Sequence, residues 1–338
     1  MIRTNPARPL RIAVVGHGLI GRRRAAAIQA IEGASLAATV DPAAAGDGTV
    51  PHYTSLDDLP PSAYDAAVVA VPHDVAGSLV ATVLEAGKPV LTEKPLGKSA
   101  SEAHRLEALA NGLSLPSFVG YNYRFLPTIV RLLEAVAEER FGPLRSIDML
   151  IGHGGHPESA QGWKLDPARA GGGVLLDPGV HLLDLLLQIA PGATCTAIEA
   201  SRGFWPTGIE EDVAMTFRAG QLLATVRVSH IRWVNTFRIE TFGETGYAIA
   251  EGRGGNYGPM TLRLGDRWGW TRADGTSQLE TEEQLDFGTQ DASMRAELEA
   301  VVAAWRSDDG RAGTPHPATM AEARAVTELC DSLYARIG

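Results

Sequence analysis

"RIAVVGHGLIG", residues 11–21, places Gly16, Gly18 and Gly21 in G-x-G-x-x-G spacing between a β-branched run and an Ala-rich one. The first run reads as a strand and the second as a helix. At such a turn the first glycine permits the tight bend, the second lets backbone approach a pyrophosphate, and the third allows close helix packing. The helix N-terminus presents unpaired N–H groups to the anion, with Leu19 and Ile20 completing the loop. Twenty residues past Gly21 a second strand ends in "TVD", which puts Asp41 where a carboxylate meets adenosine ribose hydroxyls. The following "PAAAGDG", residues 42–48, has no Arg or Lys to neutralise a 2′-phosphate. The expected cofactor is therefore NAD rather than NADP.

Outward from this turn, residues 10–117 alternate short β-branched runs with longer Ala- and Leu-rich stretches. Strand alternating with helix implies parallel pairing with helices on both sheet faces, because parallel neighbours need a crossover. The expected fold class is α/β, with an N-terminal doubly wound Rossmann domain over residues 1–124. After a helix at about 128–140, strands separated by turn signals take over, and "RAGQ", residues 218–221, reads as a hairpin. Residues 125–338 are therefore expected to form an α+β domain with an open, largely antiparallel sheet. It holds a helix near 178–189 and closing helices near 292–306 and 318–336, the terminal one packing back on the first domain. "GRGGNYGPM", residues 252–260, reads as a flexible loop.

Composition narrows the function. At 338 residues two domains are the default, and 45% hydrophobic with 21% charged residues is the balance of a globular protein. A net charge of -10 gives no basic footprint for nucleic acid. The greasiest run, "VHLLDLLLQIA", is interrupted by Asp184 and too short to span a bilayer, and the N-terminus has no apolar signal region. A cytoplasmic small-molecule enzyme with no membrane or nucleic-acid partner is expected. Cys195 and Cys330 read as inert thiols.

The chemistry-bearing residues lie beyond the glycine loop. "VAVPHDV", residues 69–75, brings Pro72 and His73 to the carboxyl edge of a strand, where doubly wound sheets bind ligands. "VLTEKPLGKSA", residues 90–100, brings Glu93 and Lys94 to the same edge, with Pro95 ending the strand. A nicotinamide across that edge would have Lys94 beside its reacting carbon. "AGGGVLLDPGVHLLDLLLQ", residues 170–188, supplies Asp177 in the form of an N-cap before Pro178, and His181 four residues on, sharing a helix face with it. An imidazole held by a carboxylate suits the alcohol proton of a hydride transfer. Gly171, Gly172 and Gly173 would let backbone lie close to cofactor or substrate. In "GHGGHPESAQGWK", residues 152–164, His153 and His156 lack rigid spacing and a third ligand, so they read as a substrate loop rather than a metal site. Arg22, Arg23 and Arg24 read as a solvated helix face.

Together "VVGHGLIG", "TEKPLG", "GYNYRF" and "AGGGVLLDPGVHLLD" resemble the Gfo/Idh/MocA family of oxidoreductases from about Leu10 to the last helix. The resemblance implies NAD(P)-linked oxidation or reduction of sugars or cyclitols, and a C-terminal sheet that forms a homodimer or homotetramer. It implies Lys94, Asp177 and His181 as the catalytic group and Asn122 near the nicotinamide. Substrate contacts fall on Tyr123, His153, His156, Trp163 and Lys164. The chain departs from the family's common pattern at Tyr123, Ala76 and Lys164, where an Arg, a His and an Arg are frequent. The expected activity is hydride transfer between NAD and a secondary alcohol or ketone. The alternatives of similar fold are an NAD-dependent glycosidase using transient C3 oxidation, whose members often carry export signals, and a catalytically silent NAD and sugar sensor.

Overall fold

The computed structural model describes residues 8–44, 46, 48–155, 162–266, 282–307 and 315–338. The chain divides into two compact units. The first comprises residues 1–124 with 168–171 and 292–331; the second comprises 125–167, 172–291 and 332–338.

In the first unit, β1 (Leu10–Val15), α1 (Leu19–Gln29), β2 (Ala34–Val40), β3 (His52–Tyr53), β4 (Ala66–Val69), α2 (His73–Glu85), β5 (Val90–Glu93), α3 (Ala100–Gly112) and β6 (Phe118–Gly120) follow one another along the chain. The sheet order is β15-β6-β5-β4-β1-β2-β3, where β15 is Ala318–Thr319. All pairings are parallel except β15 with β6, so the doubly wound expectation holds. Strands β1 and β4 are apolar almost without a break, as covered parallel strands must be.

One cover of this sheet comes from far along the chain. Leu298, Val301, Val302, Ala304 and Trp305 of α7 (Ser293–Arg306) share a core with Leu10, Ile12, Val14, Ile28 and Val68. The Trp305 indole N–H donates to the Pro116 carbonyl at 2.7 Å. From α8 (Met320–Ile337), Thr327 reaches the Leu96 carbonyl at 3.2 Å.

The second unit contains α4 (Pro127–Ala137), β7 (Leu144–Gly152), a short helical segment α5 (Pro167–Ala170) that continues into the first unit, α6 (Val180–Ile189), β8 (Thr194–Ser201), β9 (Asp212–Ala219), β10 (Leu222–Ser229), β11 (Thr236–Gly243), β12 (Gly246–Glu251), β13 (Thr261–Asp266) and β14 (Glu282–Asp286). Its eight strands run in the order β14-β13-β12-β11-β7-β10-β9-β8, antiparallel except for β7 with β10. Strands β9 and β10 form the expected hairpin around Gly220 and Gln221, with Gly220 at a φ of 58°. Burial alternates along β10, so one face is covered and the other is open. Helix α6, with Leu182, Leu183, Leu185 and Leu186 fully buried, packs against β7 and α4. The surrounding stretch 167–189 has the length and apolarity of a membrane span, yet it is 78% buried and its backbone is non-helical at Asp177.

The glycine-rich segment 252–260 is tied down. The Gly254 N–H donates to the Gly258 carbonyl at 2.9 Å, and the Gly255 N–H donates to the Thr289 carbonyl.

Candidate active site

The glycine loop follows β1 as its spacing requires. Gly16 has a φ of 89°, and a Cβ there would lie 2.3 Å from the Ala70 carbonyl oxygen. A Cβ on Gly21 would lie 1.8 Å from the Gly16 oxygen. Neither position accepts a side chain. Gly18 differs, since nothing lies within 4 Å of where its Cβ would be, and the start of α1 carries no side-chain cap. The backbone is open to an anion at that point. Leu19 is exposed and Ile20 half-buried beside it.

Asp41 lies against this loop. One carboxylate oxygen accepts the His17 N–H at 2.7 Å, and the other accepts those of Ala43 and Ala44, each at 2.8 Å. Partial burial works to raise the carboxyl, but the N–H groups of Ala44, His17 and Ala43 outweigh it and hold it below the ordinary range. Asp41 thus stays ionised and braces the glycine loop. A carboxylate oxygen takes more than one hydrogen bond, so capacity for ribose hydroxyls remains. These features fit a dinucleotide.

Pro72 precedes α2, and His73 begins that helix without capping it. The His73 ring is buried, with Nδ1 2.8 Å from the Ala170 carbonyl. Glu93 is the last residue of β5, and the half-buried Lys94 follows it. The peptide bonds before Pro95 and Pro178 are both cis. Asn122 donates to the Ser293 hydroxyl at 2.7 Å, and Tyr123 is buried.

The arginines after Gly21 correct the expectation of a solvated face. Arg22 and Arg23 are exposed, but Arg24 is completely buried. Its Nε donates to Glu93 at 2.8 Å, and its Nη2 lies 2.7 Å from both Glu93 and Glu297. No spacing links residue 24 to residue 297, so sequence reasoning had no signal for this cluster.

In the second unit His181 lies in α6, 5% exposed. Asp177 lies outside that helix, with φ −150° and ψ 103°, so the two residues do not share a helical face. The proline at 178 explains this, because it pushes the preceding residue toward extended backbone. Nor does Asp177 cap α6, whose N-cap is Gly179. Its carboxylate is ion-paired with the Lys164 ammonium, and that ammonium also lies 5.9 Å from the ring centre of Trp163.

The glycine triple has its own explanation. A Cβ on Gly172 would lie 2.0 Å from the Tyr334 hydroxyl, and one on Gly173 would lie 2.1 Å from the Glu210 carbonyl. The Glu210 carboxylate, buried, accepts from Gly173 N–H at 2.8 Å, Leu175 N–H at 3.2 Å and Tyr334 hydroxyl at 2.6 Å. Gly172 and Gly173 make room for this clamp.

Around Asp177 the unit gathers titratable groups that sequence reading missed: His230, Arg253 and Tyr257. The rings of His153 and His230 have centroids 4.3 Å apart. His153 Nδ1 accepts the Gly155 N–H at 3.0 Å, so the neutral ring carries its proton on Nε2. Burial lowers the His153 pKa, opposed by Asp177 and aided by Arg253 and Lys164. Burial first, then His153, pushes His230 down to about 4. The Arg253 guanidinium sits 4.3 Å from the Tyr257 ring centre and 3.6 Å from Asp291. His156 lies outside the described residues. Among those residues no group of three His, Cys, Asp or Glu is placed to hold a metal.

Comparison with known proteins matches residues 10–121 to an oxidoreductase family model described as an NAD-binding Rossmann fold, and residues 129–249 to the GFO/IDH/MocA C-terminal domain. The chain is 27% identical over 242 residues to the 1,5-anhydro-D-fructose reductase of Ensifer adhaerens, covering 70% of this chain and 69% of that protein. It is 24% identical over 277 residues to the inositol 2-dehydrogenase of Rhizobium meliloti strain 1021, covering 78% and 81%. Two further relatives are spanned over 55% and 44% of their own length. Among solved structures, UDP-N-acetylglucosamine 3-dehydrogenase from Acidithiobacillus ferrooxidans superposes with a TM-score of 0.76 at 22% identity, over 97% of both chains.

Proposed function

We propose a sugar or cyclitol dehydrogenase from one premise: this chain belongs to the Gfo/Idh/MocA family of oxidoreductases and carries its NAD-binding Rossmann domain. The observation that carries the reading furthest is the glycine loop. Two of its glycines have no room for a Cβ, the third is open, and an ionised Asp41 braces it. That loop and the start of α1 would hold the pyrophosphate, and Asp41 would receive the adenosine ribose hydroxyls. The braced carboxylate and the absence of Arg or Lys from residues 42–48 favour NAD over NADP.

When bound, NAD accepts the hydride of a secondary alcohol. The chain's own residues manage the proton and the charge. His181 takes the hydroxyl proton, and Asp177 supports the imidazolium that results. Lys94 hydrogen-bonds the same oxygen and stabilises negative charge on it. Asn122, Pro72, His73 and Glu93, at the carboxyl ends of the strands, would hold the nicotinamide end of the cofactor. Tyr123, His153, Trp163 and Lys164 contact the substrate. The substrate class is a sugar, sugar derivative or cyclitol, a reading supported by relatives named for anhydrofructose and inositol. We place the enzyme in the cytoplasm as a homodimer or homotetramer formed through the open face of the eight-stranded sheet. Leu223 and Phe242, 38% and 37% exposed, support that choice.

The test is NADH formation at 340 nm across a panel of inositols, sugars and sugar acids, with glycoside release measured in parallel. The expected result is net NADH production that Lys94→Met abolishes while NAD still binds. Turnover unchanged in that variant would remove Lys94 from the chemistry. Glycoside release without net NADH would replace the dehydrogenase reading with a hydrolase one.

A further inference from the structure

The completely buried Arg24 bridges two carboxylates from different elements of the first unit. Its guanidinium ties three elements: α1, which begins at the glycine loop; the end of β5, through Glu93; and α7, through Glu297. A further arm of the fork reaches the Met294 carbonyl at 3.3 Å. Gly120 at the end of β6 makes the space, since a Cβ there would lie 2.9 Å from Arg24 Nη2 and 3.1 Å from Glu93 Oε2. A lone buried cation is costly and a buried pair only breaks even, so hydrophobic packing would serve stability as well.

We propose that Arg24 and Glu297 are positioning residues for the strand end that carries Lys94. Glu93 and Lys94 are consecutive, and Glu93 is held by two nitrogens of one guanidinium. Fixing that side chain fixes the backbone from which Lys94 departs, a geometry that catalysis requires to a fraction of an ångström. The same guanidinium sits on the helix whose start holds the pyrophosphate, so cofactor loop and lysine are referred to one rigid group. This inference rests on the reading of Lys94 as the group that acts on the substrate oxygen.

The cluster is also poised to change charge. Glu297 is fully buried, and neither of its oxygens receives a well-directed hydrogen bond among the described residues. The charged groups facing it are Arg24 on α1, Glu93 on β5 and Arg124 beyond β6, which is itself paired with Glu322 of α8 at 3.3 Å. Burial and Glu93 raise its carboxyl against the pull of Arg24 and Arg124, pushing it up to about 7. Arg24 stays charged throughout. Protonating Glu297 therefore takes the triad from a net single negative charge to neutrality, beside Lys94.

The experiment is reductive methylation of the whole protein across the neutral pH range, with labelling of Lys94 read by peptide mass spectrometry and normalised to Lys88. In the wild type the Lys94 to Lys88 ratio passes through a step near neutrality. Its expected size is about threefold, as for a unit charge appearing a few side chains away. Glu297→Gln removes the step while NAD affinity changes less than about twofold, and Glu297→Asp restores part of it. Arg24→Lys, which keeps the charge but loses the planar fork, shifts the ratio at every pH. A wild-type profile with no step, or a step unchanged in Glu297→Gln, overturns the proposal, and the first of these needs no variant to fold. Labelling is independent of turnover, so an active Lys94→Met enzyme would sink the catalytic reading and leave this result standing.

Discussion

The imidazole of His153 lies 4.3 Å from that of His230, centroid to centroid, with the ring planes tilted by 37°. The two rings follow the parallel strands β7 and β10, whose last paired residues are Gly152 and Ser229. Two protonated rings at that distance repel, and burial adds to the penalty, so the native pair is held neutral. Between the ordinary value of 6.5 and about 4, the unfolded chain binds a proton that native His230 refuses. Stability of the second unit therefore falls as pH drops through that window, by on the order of 2–3 kcal/mol. Urea unfolding at about pH 7.5 and about pH 5 checks this, with His230→Gln expected to flatten the difference. Glu297 acts oppositely in the first unit. Its raised carboxyl takes up a proton on folding between 4.5 and about 7, so that contribution is lost as pH rises.

The three loop glycines separate by substitution. Gly21→Ala drives a Cβ into the Gly16 carbonyl and is expected to lower stability by roughly 1–3 kcal/mol as well as NAD affinity. Gly18→Ala meets open space, so the melting temperature holds while NAD binding weakens about tenfold, or 1.4 kcal/mol. Thermal unfolding and calorimetric titration with NAD distinguish the two.

Cofactor choice follows from Asp41. The wild type is expected to prefer NAD over NADP by at least about tenfold in kcat/KM, or 1.4 kcal/mol. Asp41→Ser with Pro42→Arg narrows or inverts the ratio. Because the carboxylate also braces the N–H groups of His17, Ala43 and Ala44, Asp41→Ala weakens binding of both cofactors and lowers stability by about 1–3 kcal/mol. Equal efficiency with both cofactors in the wild type would confine Asp41 to the bracing role.

Glu210 is expected to matter for folding of the glycine triple. Glu210→Ala removes the acceptor for two backbone N–H groups and for the Tyr334 hydroxyl in a buried setting. A loss of roughly 2–4 kcal/mol follows. Glu210→Gln, which keeps an oxygen acceptor, loses less. Denaturant unfolding of the two variants is the measurement.

The proposed proton acceptor, His181, lies on the buried helix α6. His181→Ala is expected to cost roughly 10²- to 10⁴-fold in rate and to erase the lower limb of the pH–rate profile. A profile unchanged in the variant would move the proton transfer to another group, with Tyr123 the first to replace.

Local patterns were legible in the sequence where the chemistry is local. The glycine loop, Asp41 and the ends of β4 and β5 follow from period, turn residues and spacing. The hairpin at Gly220 follows from the same reasoning. Strand β14, "EEQLD", carries no alternating apolar signal, and β3 and β15 are two residues each, so none was readable. The i, i+4 spacing of Asp177 and His181 predicts a shared helix face, but Pro178 breaks the helical geometry that would join them. Arg24, Glu210, His230 and Arg253 take their importance from partners far away along the chain, which no window on the sequence connects.

The core formed by α7 with β1 bears on how the protein can be made. A ribosome delivers Leu10, Ile12 and Val14 early, but Leu298, Val301 and Trp305, which cover them, arrive only after nearly all of the second unit. At about 5–20 residues per second, that interval is roughly 15–60 seconds, during which the first sheet waits with one flank uncovered. A fragment ending at Arg124 would stay in that condition permanently and would be prone to aggregate. A circularly permuted chain that begins at residue 292 would deliver α7 ahead of β1 and close the nucleotide-binding core first. Its soluble yield on cell-free translation, compared with that of the natural order, would measure what the long wait costs.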